Sequence, residues 1–333
     1  MNASASVPVV APLALASGAH GLAPANPSFP LPSDEPFTFA AALAAGVSRK
    51  QLASMLAAHE VRRVCRGVYA AQALPDDIPT RARALGLVVP ESAVVTDRTA
   101  AWLHGVDILP RGSHRGVPPI SIHRTAGTRL RRTGVDGGSR QLLDRDVQRV
   151  GTVRVTTPLR TALDLSRGLW RFDALAAIDG FVRIGVPVEQ MRLELQRFRG
   201  FRGIVQARQL IPLGDGRAES VAESALRLHW YDAGLPRPEL QVWVYDDAGV
   251  PVFRLDIALP DLLYGAEYDG EEFHTLAEDR ERDEQRRAWL RASRHWHLEV
   301  FGNADIYVPG ADPCPRLIAG YQQARLARGR SRW

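Results

Sequence analysis

Residues 267–274 read EYDGEEFH and directly follow a short apolar run. The longer stretch LLYGAEYDG, at 262–270, alternates as a β-strand does, with Glu267 and Asp269 on one face. Carboxylates, a glycine and a histidine crowded at the end of a buried strand favour one of two interpretations. The first is a solvated polar turn. The second is a metal-dependent hydrolytic site, because divalent ions bind carboxylate oxygens and activate water.

The elements on either side of this stretch form a regular series. Periodicity and turn residues predict a helix over 219–236, a hairpin of strands over 239–245 and 250–260, a charged helix over 278–293 and a strand over 295–302. Asp256 interrupts an otherwise apolar alternation, and an acid there needs compensation if it is buried. If the third strand pairs beside the second, Asp256 and Glu267 converge at one end of the sheet. Oxygen ligands placed in this way suit Mg²⁺.

The order helix, three strands, helix and strand is that of the PD-(D/E)XK nuclease core. The stretch from Ser220 to about Phe301 resembles the very-short-patch repair (Vsr) endonuclease-like family through SVAE, LPRPELQ, RLDIALP, EYDGEEFH, DEQRR and HWHLEVF, in that order. The resemblance implies a restriction-endonuclease-like α/β core over residues 216–308 and Mg²⁺-dependent cleavage of DNA.

The resemblance also implies roles for individual residues. Asp256 and Glu267 match the metal-side acids, and His274 matches a general base or water-orienting group. Glu223 matches the glutamate of the first helix. The later helix carries a matching pair, Asp283 and Arg286.

One residue departs from the motif. Asp269 completes the expected catalytic group, but it stands where lysine is usual, and Lys50 is the only lysine of the chain. The core is therefore either catalytically inactive or relies on another residue to position water. His274 is the candidate for that role.

Composition restricts the other classes of function. The chain has 333 residues, of which 45% are hydrophobic, so two or three globular domains are expected. Its two cysteines, Cys65 and Cys314, exclude a disulfide framework and a four-cysteine zinc site, and they fit a reducing cytoplasm. No run of about 18 apolar residues predicts a transmembrane helix.

Charge is distributed unevenly along the chain. Residues 1–216 carry a net charge of +10, residues 217–308 carry −9, and residues 309–333 carry +4. A basic front part indicates a polyanionic partner such as nucleic acid. The acidic block contains the carboxylates described above, and an acidic surface does not attract DNA unless metal or other basic residues compensate it.

The N-terminal part predicts a DNA-binding module. Residues 1–34 are expected to be a disordered tail or a stretch before the true start, because they are rich in Ala, Pro and Ser. Residues 35–75 predict helix, tight turn, helix and basic hairpin, the order of a winged helix-turn-helix. The side chains expected to contact DNA lie at the start of the second helix and on the hairpin: Arg49, Lys50, Gln51, Arg62, Arg63 and Arg66.

The stretch GVSRKQLASMLAAHEVRRVCRGVYA, within this module, resembles the N-terminal domain of AbiEi-type antitoxins from bacterial abortive-infection systems. Its ending, VRRVCRGVYA, is the most specific piece. The resemblance implies a winged helix that binds DNA and represses its own operon. The alternative is a small packing module with a solvated basic hairpin.

Residues 76–215 are expected to form a mixed α/β middle region. The pairs Thr99 with His104 and Arg160 with Asp164 are interpreted as structural, through capping and an i,i+4 ion pair. The region is similar to the segment that follows the winged helix in larger AbiEi-like proteins, and its sequence indicates no catalytic group. Residues 309–333 are expected to form a C-terminal helix and a basic tail.

The sequence therefore predicts an α+β multidomain protein with two functional hypotheses. In the first, a DNA-binding protein carries a metal-dependent endonuclease domain, in which Asp256, Glu267 and Mg²⁺ position water for phosphodiester hydrolysis and His274 assists. In the second, it is a non-enzymatic, antitoxin-type transcriptional regulator whose nuclease-like domain is inactive. DNA is the expected partner in both, a toxin partner is compatible with the second, and no membrane partner is expected.

Overall fold

The computed structural model describes residues 30–108, 119–125, 135–270, 277–308 and 310–330. Within them the chain forms several sheets and helices in an α+β arrangement, as the sequence predicts. Among the described helices, none has both the length and the apolar character needed to cross a bilayer.

The N-terminal unit consists of two helices and a hairpin. Its elements are β1 (Phe37–Thr38), α1 (Phe39–Ala44), α2 (Arg49–Ala57), β2 (Val61–Cys65) and β3 (Val68–Ala71). Strand β3 lies between β1 and β2 in an antiparallel sheet. The unit has its own small core, in which Leu31 packs with Phe37, although the sequence placed Leu31 in the N-terminal tail.

Among the described residues, the middle unit begins with two α-helices and five strands, and the five strands form one sheet. Its elements up to the sheet's last strand are α3 (Ile78–Gly86), β4 (Val94–Val95), α4 (Asp97–Leu103), β5 (Ile120–Arg124), β6 (Val135–Ser139), β7 (Val147–Val150) and β8 (Val153–Thr156). The strand order is β6-β5-β4-β8-β7, with β5–β6 and β4–β8 parallel. The sequence did not predict β6, whose VDGGS has low strand propensity. Gly138 permits the pairing, because a Cβ there would lie 3.1 Å from the His123 ring.

Four α-helices follow the sheet, and they supply many of the residues of the largest hydrophobic cluster. They are α5 (Pro158–Gly168), α6 (Arg171–Arg183), α7 (Val188–Glu194) and α8 (Ile204–Leu210). Thr157 caps α5 through its hydroxyl, and Pro158 follows at the first helical position, where a missing N–H has no consequence. Helix α6 is buried from Phe172 to Phe181 apart from the partly exposed Asp173, which explains its continuous apolar sequence.

The C-terminal unit has the order that the sequence predicts. Its elements are α9 (Val221–Asp232), β9 (Glu239–Tyr245), β10 (Pro251–Leu259), β11 (Tyr264–Tyr268), α10 (Ala277–Arg294), β12 (His297–Phe301), α11 (Asn303–Ile306) and α12 (Cys314–Arg330). The sheet order is β12-β11-β10-β9, with β11–β12 parallel and the other pairs antiparallel. The third strand therefore pairs beside the second, which was the condition for Asp256 and Glu267 to meet.

One hydrophobic cluster continues from the middle helices into the C-terminal unit. It contains Phe181 of α6, Trp230 of α9 and Phe301 of β12. Across the same contact, Asp179 of α6 forms a fully buried ion pair with Arg227 of α9, at 2.6 Å. Both groups are removed from water, so this pair fixes α6 against α9 through directional bonds as well as apolar packing.

Candidate functional site

The start of α2 exposes two basic side chains. Arg49 and Lys50 are exposed directly after the N-cap Ser48, and Arg49 lies 5.2 Å from the centre of the Phe39 ring. Gln51 has a different local role, because its Oε1 accepts a 2.8 Å hydrogen bond from the Ser48 backbone N–H in a capping box. The exposed cations at this helix end are thus Arg49 and Lys50.

The hairpin of β2 and β3 carries the second set of basic residues. Arg66 is exposed in the turn, which Gly67 closes with φ +78°. Arg63 is exposed and lies 5.7 Å from the centre of the Tyr69 ring. Arg62 is half-buried and donates to the Leu74 carbonyl at 2.9 Å, so it holds the following segment in place.

Asp256 and Glu267 lie on adjacent strands and face the same environment. The antiparallel register pairs Ile257 with Ala266, so the next residues, Asp256 and Glu267, are opposite each other. Asp256 Oδ2 accepts a 2.9 Å hydrogen bond from the Tyr268 backbone N–H. Burial, followed by repulsion from Glu223, raises the pKa of Asp256 to about 7. Burial, followed by repulsion from Asp256, raises the pKa of Glu267 to about 8.

Glu223 of α9 is the third member of this acidic group. Its Oε2 accepts hydrogen bonds from the Glu219 backbone N–H at 2.8 Å and from Gln241 Nε2 at 2.9 Å. Burial raises the pKa of Glu223, and its charge contributes to the raised pKa of Asp256. The helix glutamate that the sequence identified therefore lies near enough to Asp256 for the two charges to repel each other.

Arg287 of α10 supplies positive charge beside the group. It binds Asp269 at 2.6 Å, and its Nε lies 3.6 Å from Glu267 Oε2. That oxygen is buried and accepts no hydrogen bond from the described residues. The sequence does not predict the role of Arg287, because nothing in its spacing from Glu267 shows that the long helix returns over this strand.

The remaining predicted residues of this site divide into two groups. Arg286 donates to the Val252 carbonyl at 3.0 Å and lies over the Phe253 ring, so it supports the start of β10. The predictions for His274 and for the side chain of Asp283 fall outside what the structure describes. Within the described ranges, no group of three or more His, Cys, Asp or Glu side chains is arranged to hold a metal ion.

The middle unit contains a cleft that the sequence does not predict. Its volume is about 1190 Å³, and six arginines and three aspartates line it. Arg160 and Asp164 form the expected i,i+4 ion pair, at 2.9 Å, but both are buried in the wall of this cleft. The arginines come from positions between 140 and 202, so only the tertiary fold brings them together.

Comparison with known proteins relates two stretches of the chain to AbiEi antitoxins, and most of its length to two mycobacterial proteins. The family model described as "Transcriptional regulator, AbiEi antitoxin" matches residues 33–72, and the one described as "AbiEi antitoxin C-terminal domain" matches residues 92–213. Two Mycobacterium tuberculosis proteins, from strains CDC 1551 / Oshkosh and ATCC 25618 / H37Rv, are each 36% identical over 291 residues. The matches cover 84% of this chain and 100% of each relative, and both relatives are called uncharacterized proteins. The AbiEi resemblance is thus confirmed, whereas neither matched stretch reaches the C-terminal unit, so the endonuclease resemblance stays a prediction.

Proposed function

The chain belongs to the same family as these two Mycobacterium tuberculosis proteins, and from its two AbiEi antitoxin matches we propose that it is a DNA-binding transcriptional regulator of the antitoxin type. One observation carries the proposal. The unit matched as a transcriptional regulator exposes Arg49 and Lys50 at the start of a helix and Arg63 and Arg66 on a hairpin.

The arrangement suits a winged helix on duplex DNA. Helix α2 takes the part of the recognition helix, and the β2–β3 hairpin takes the part of the wing that contacts the backbone. Arg49 and Lys50 are the groups for base edges or nearby phosphates, and Arg63 and Arg66 are the groups for phosphates. Gln51 and Arg62 act through structure, because capping and the Leu74 carbonyl engage them.

An antitoxin implies a toxin partner, and we include such a partner in the proposal. The net charge of −9 over residues 217–308 gives the C-terminal part little affinity for DNA. In this proposal the basic N-terminal unit binds the operator, and the rest of the chain is available for contacts with the partner protein.

Binding to duplex DNA taken from upstream of the protein's own coding sequence tests the proposal. Fluorescence anisotropy should show specific binding that weakens steeply with salt, and the double change Lys50→Ala and Arg66→Ala should weaken it about tenfold or more. Arg237→Ala is the matched control, because Arg237 is an exposed arginine of the C-terminal unit. Equal binding by the native protein and the double variant would refute the assignment.

The acidic group supports a second candidate function, metal-dependent DNA cleavage. Two carboxylates whose pKa values are raised to about 7 and 8 lie together, and Glu267 Oε2 is a buried acceptor without a donor in the described structure. A divalent cation would satisfy that oxygen, and Asp256 and Glu267 are the residues that would hold it. Such a cation supplies charge stabilisation and an activated water for phosphodiester hydrolysis.

Plasmid nicking with Mg²⁺ or Mn²⁺ tests this candidate separately from DNA binding. Native protein should nick the plasmid, and Asp256→Ala should not, while both bind operator DNA equally. Identical nicking by the two proteins, or none by either, removes the enzymatic candidate and leaves the regulator.

A further inference from the structure

The cleft of the middle unit presents a connected network of ion pairs. Asp146 accepts hydrogen bonds from Arg160 Nη1 at 2.7 Å and from Arg197 Nη2 at 2.7 and 2.9 Å. Asp164 binds Arg160, Arg140 and Arg167. Because each of these two carboxylates binds two or three guanidinium groups, Arg140, Arg160, Arg167 and Arg197 are held in fixed positions.

The network has more positive than negative charge. Among the lining residues, six arginines face three aspartates, and Glu194 beside the cleft offsets one further arginine. An excess of two positive charges remains. At one end Asp97 binds Arg140 with two hydrogen bonds, at 2.8 and 2.9 Å, so that end is neutralised.

The excess belongs to Arg145 and Arg202. Arg145 is 61% exposed, and its ion pair with Glu194 is long, at 3.5 Å. Arg202 is exposed and has no ion pair among the residues that the structure describes. Both line the cleft. An anion is therefore drawn to this part, where guanidinium groups can bind phosphate oxygens with two parallel hydrogen bonds.

Two aromatic side chains line the same cleft. Phe198 is buried beneath Arg167, whose guanidinium carbon lies 4.3 Å from the ring centre. Phe201 packs edge-to-face on Phe198, with ring centres 5.6 Å apart, and it remains 48% exposed at the rim of the cleft. An exposed ring beside arginine side chains is the combination that binds a stacked base and its phosphate.

We propose that this cleft binds a nucleoside phosphate, with the phosphate on Arg145 and Arg202 and the base on Phe201. The ligand is either a free nucleotide or the 5′-phosphorylated end of a nucleic-acid strand, since both present the same group. The site is separate from the N-terminal DNA-binding surface, and it does not depend on the regulator function.

Titration calorimetry on the full chain tests the proposal with four probes: ATP, AMP, inorganic phosphate and a 5′-phosphorylated single-stranded oligonucleotide. Arg202→Ala should weaken nucleotide binding about tenfold, because a charge-assisted phosphate contact is lost. Phe201→Leu should weaken it about fivefold or more through lost stacking, while it keeps an apolar contact on Phe198.

Two variants serve as controls. Arg208→Ala removes an exposed arginine of the same unit that does not line the cleft, and Lys50→Ala removes a cation of the N-terminal surface. Both should leave nucleotide affinity unchanged. Tighter binding of the oligonucleotide than of ATP or AMP, with the same response to Arg202→Ala and Phe201→Leu, would identify a strand end as the natural ligand.

Three results would overturn the proposal. They are no binding of any probe at millimolar concentration, affinity that neither cleft variant changes, and equal affinity for inorganic phosphate and nucleotide with no effect of Phe201→Leu.

Discussion

Replacement of Glu267 by glutamine should stabilise the protein at alkaline pH and have little effect at acidic pH. The change keeps the shape of the side chain and removes its titration. Burial and repulsion from Asp256 raise the pKa of Glu267 from 4.5 to about 8 in the folded protein. A carboxyl group with a raised folded pKa favours the folded state while it is protonated. That contribution is complete below about pH 4 and is lost as the pH rises through about 8.

The size of the effect follows from the two pKa values. The difference between 4.5 and about 8 corresponds to about 5 kcal/mol at about 1.4 kcal/mol per pH unit. This is an upper limit, because part of the difference is repulsion that disappears whenever Asp256 keeps its proton. We therefore expect Glu267→Gln to raise the free energy of unfolding by about 2–4 kcal/mol at pH 9 and by less than about 1 kcal/mol at pH 5.

Urea unfolding followed by tryptophan fluorescence, at pH values from 5 to 9, measures the difference. Glu219→Gln is the matched control, since Glu219 pairs with Arg254 at the surface and its loss should change stability by less than about 1 kcal/mol. Mg²⁺ at pH 8 should stabilise the native protein and not Glu267→Gln if the acidic group binds metal. A difference in the free energy of unfolding between native protein and Glu267→Gln that does not change with pH would refute the reasoning. It would mean that the pKa of Glu267 is not raised in the folded protein.

Three further predictions concern other parts of the chain. Asp179→Leu should destabilise the protein by about 3–5 kcal/mol because it leaves Arg227 buried without its partner, and the further change Arg227→Met should restore most of that loss in the same urea assay. Ser48→Ala should remove the capping box and lower the stability of the N-terminal unit by about 1 kcal/mol, which circular dichroism would record as a lower thermal midpoint. An unchanged midpoint would mean that the cap contributes nothing to stability. Cys65 should react with a thiol reagent only after unfolding, since burial raises its pKa to about 12, and rapid labelling of native protein at Cys65 would contradict this.

The C-terminal unit shows how far sequence patterns reach. Alternation and turn residues predicted its helix, three strands, helix and strand, and the strand register places Asp256 opposite Glu267. Arg287 was not predicted, because its contact with Asp269 depends on the angle at which α10 crosses the sheet. Such an angle is set by packing of Leu290 against neighbouring strands, and no local pattern encodes it.

The middle unit marks the limit of local reasoning. Arg160 and Asp164 were correctly interpreted as an i,i+4 pair, since helical spacing alone defines that contact. The same spacing says nothing of Arg140 or Arg197, which reach these groups from distant segments. The same ion pair could form on any exposed helix face. Here it is part of a buried network, and its burial rather than its spacing makes it relevant to function.

The acidic group has a different meaning under each candidate function. The sheet of the C-terminal unit is already held by apolar contacts, among them Leu255 and Leu290, so its fold does not need two buried carboxylates. Their ionisation costs stability near neutral pH, and Arg287 compensates only part of it, because burial and mutual repulsion still raise the pKa values of Asp256 and Glu267. In a regulator without a metal, such a pair only destabilises the fold, and a glutamine at one of the two positions would remove that cost. In a metal-binding protein, a cation that binds only the folded state would restore the lost stability, so the same pair favours metal binding.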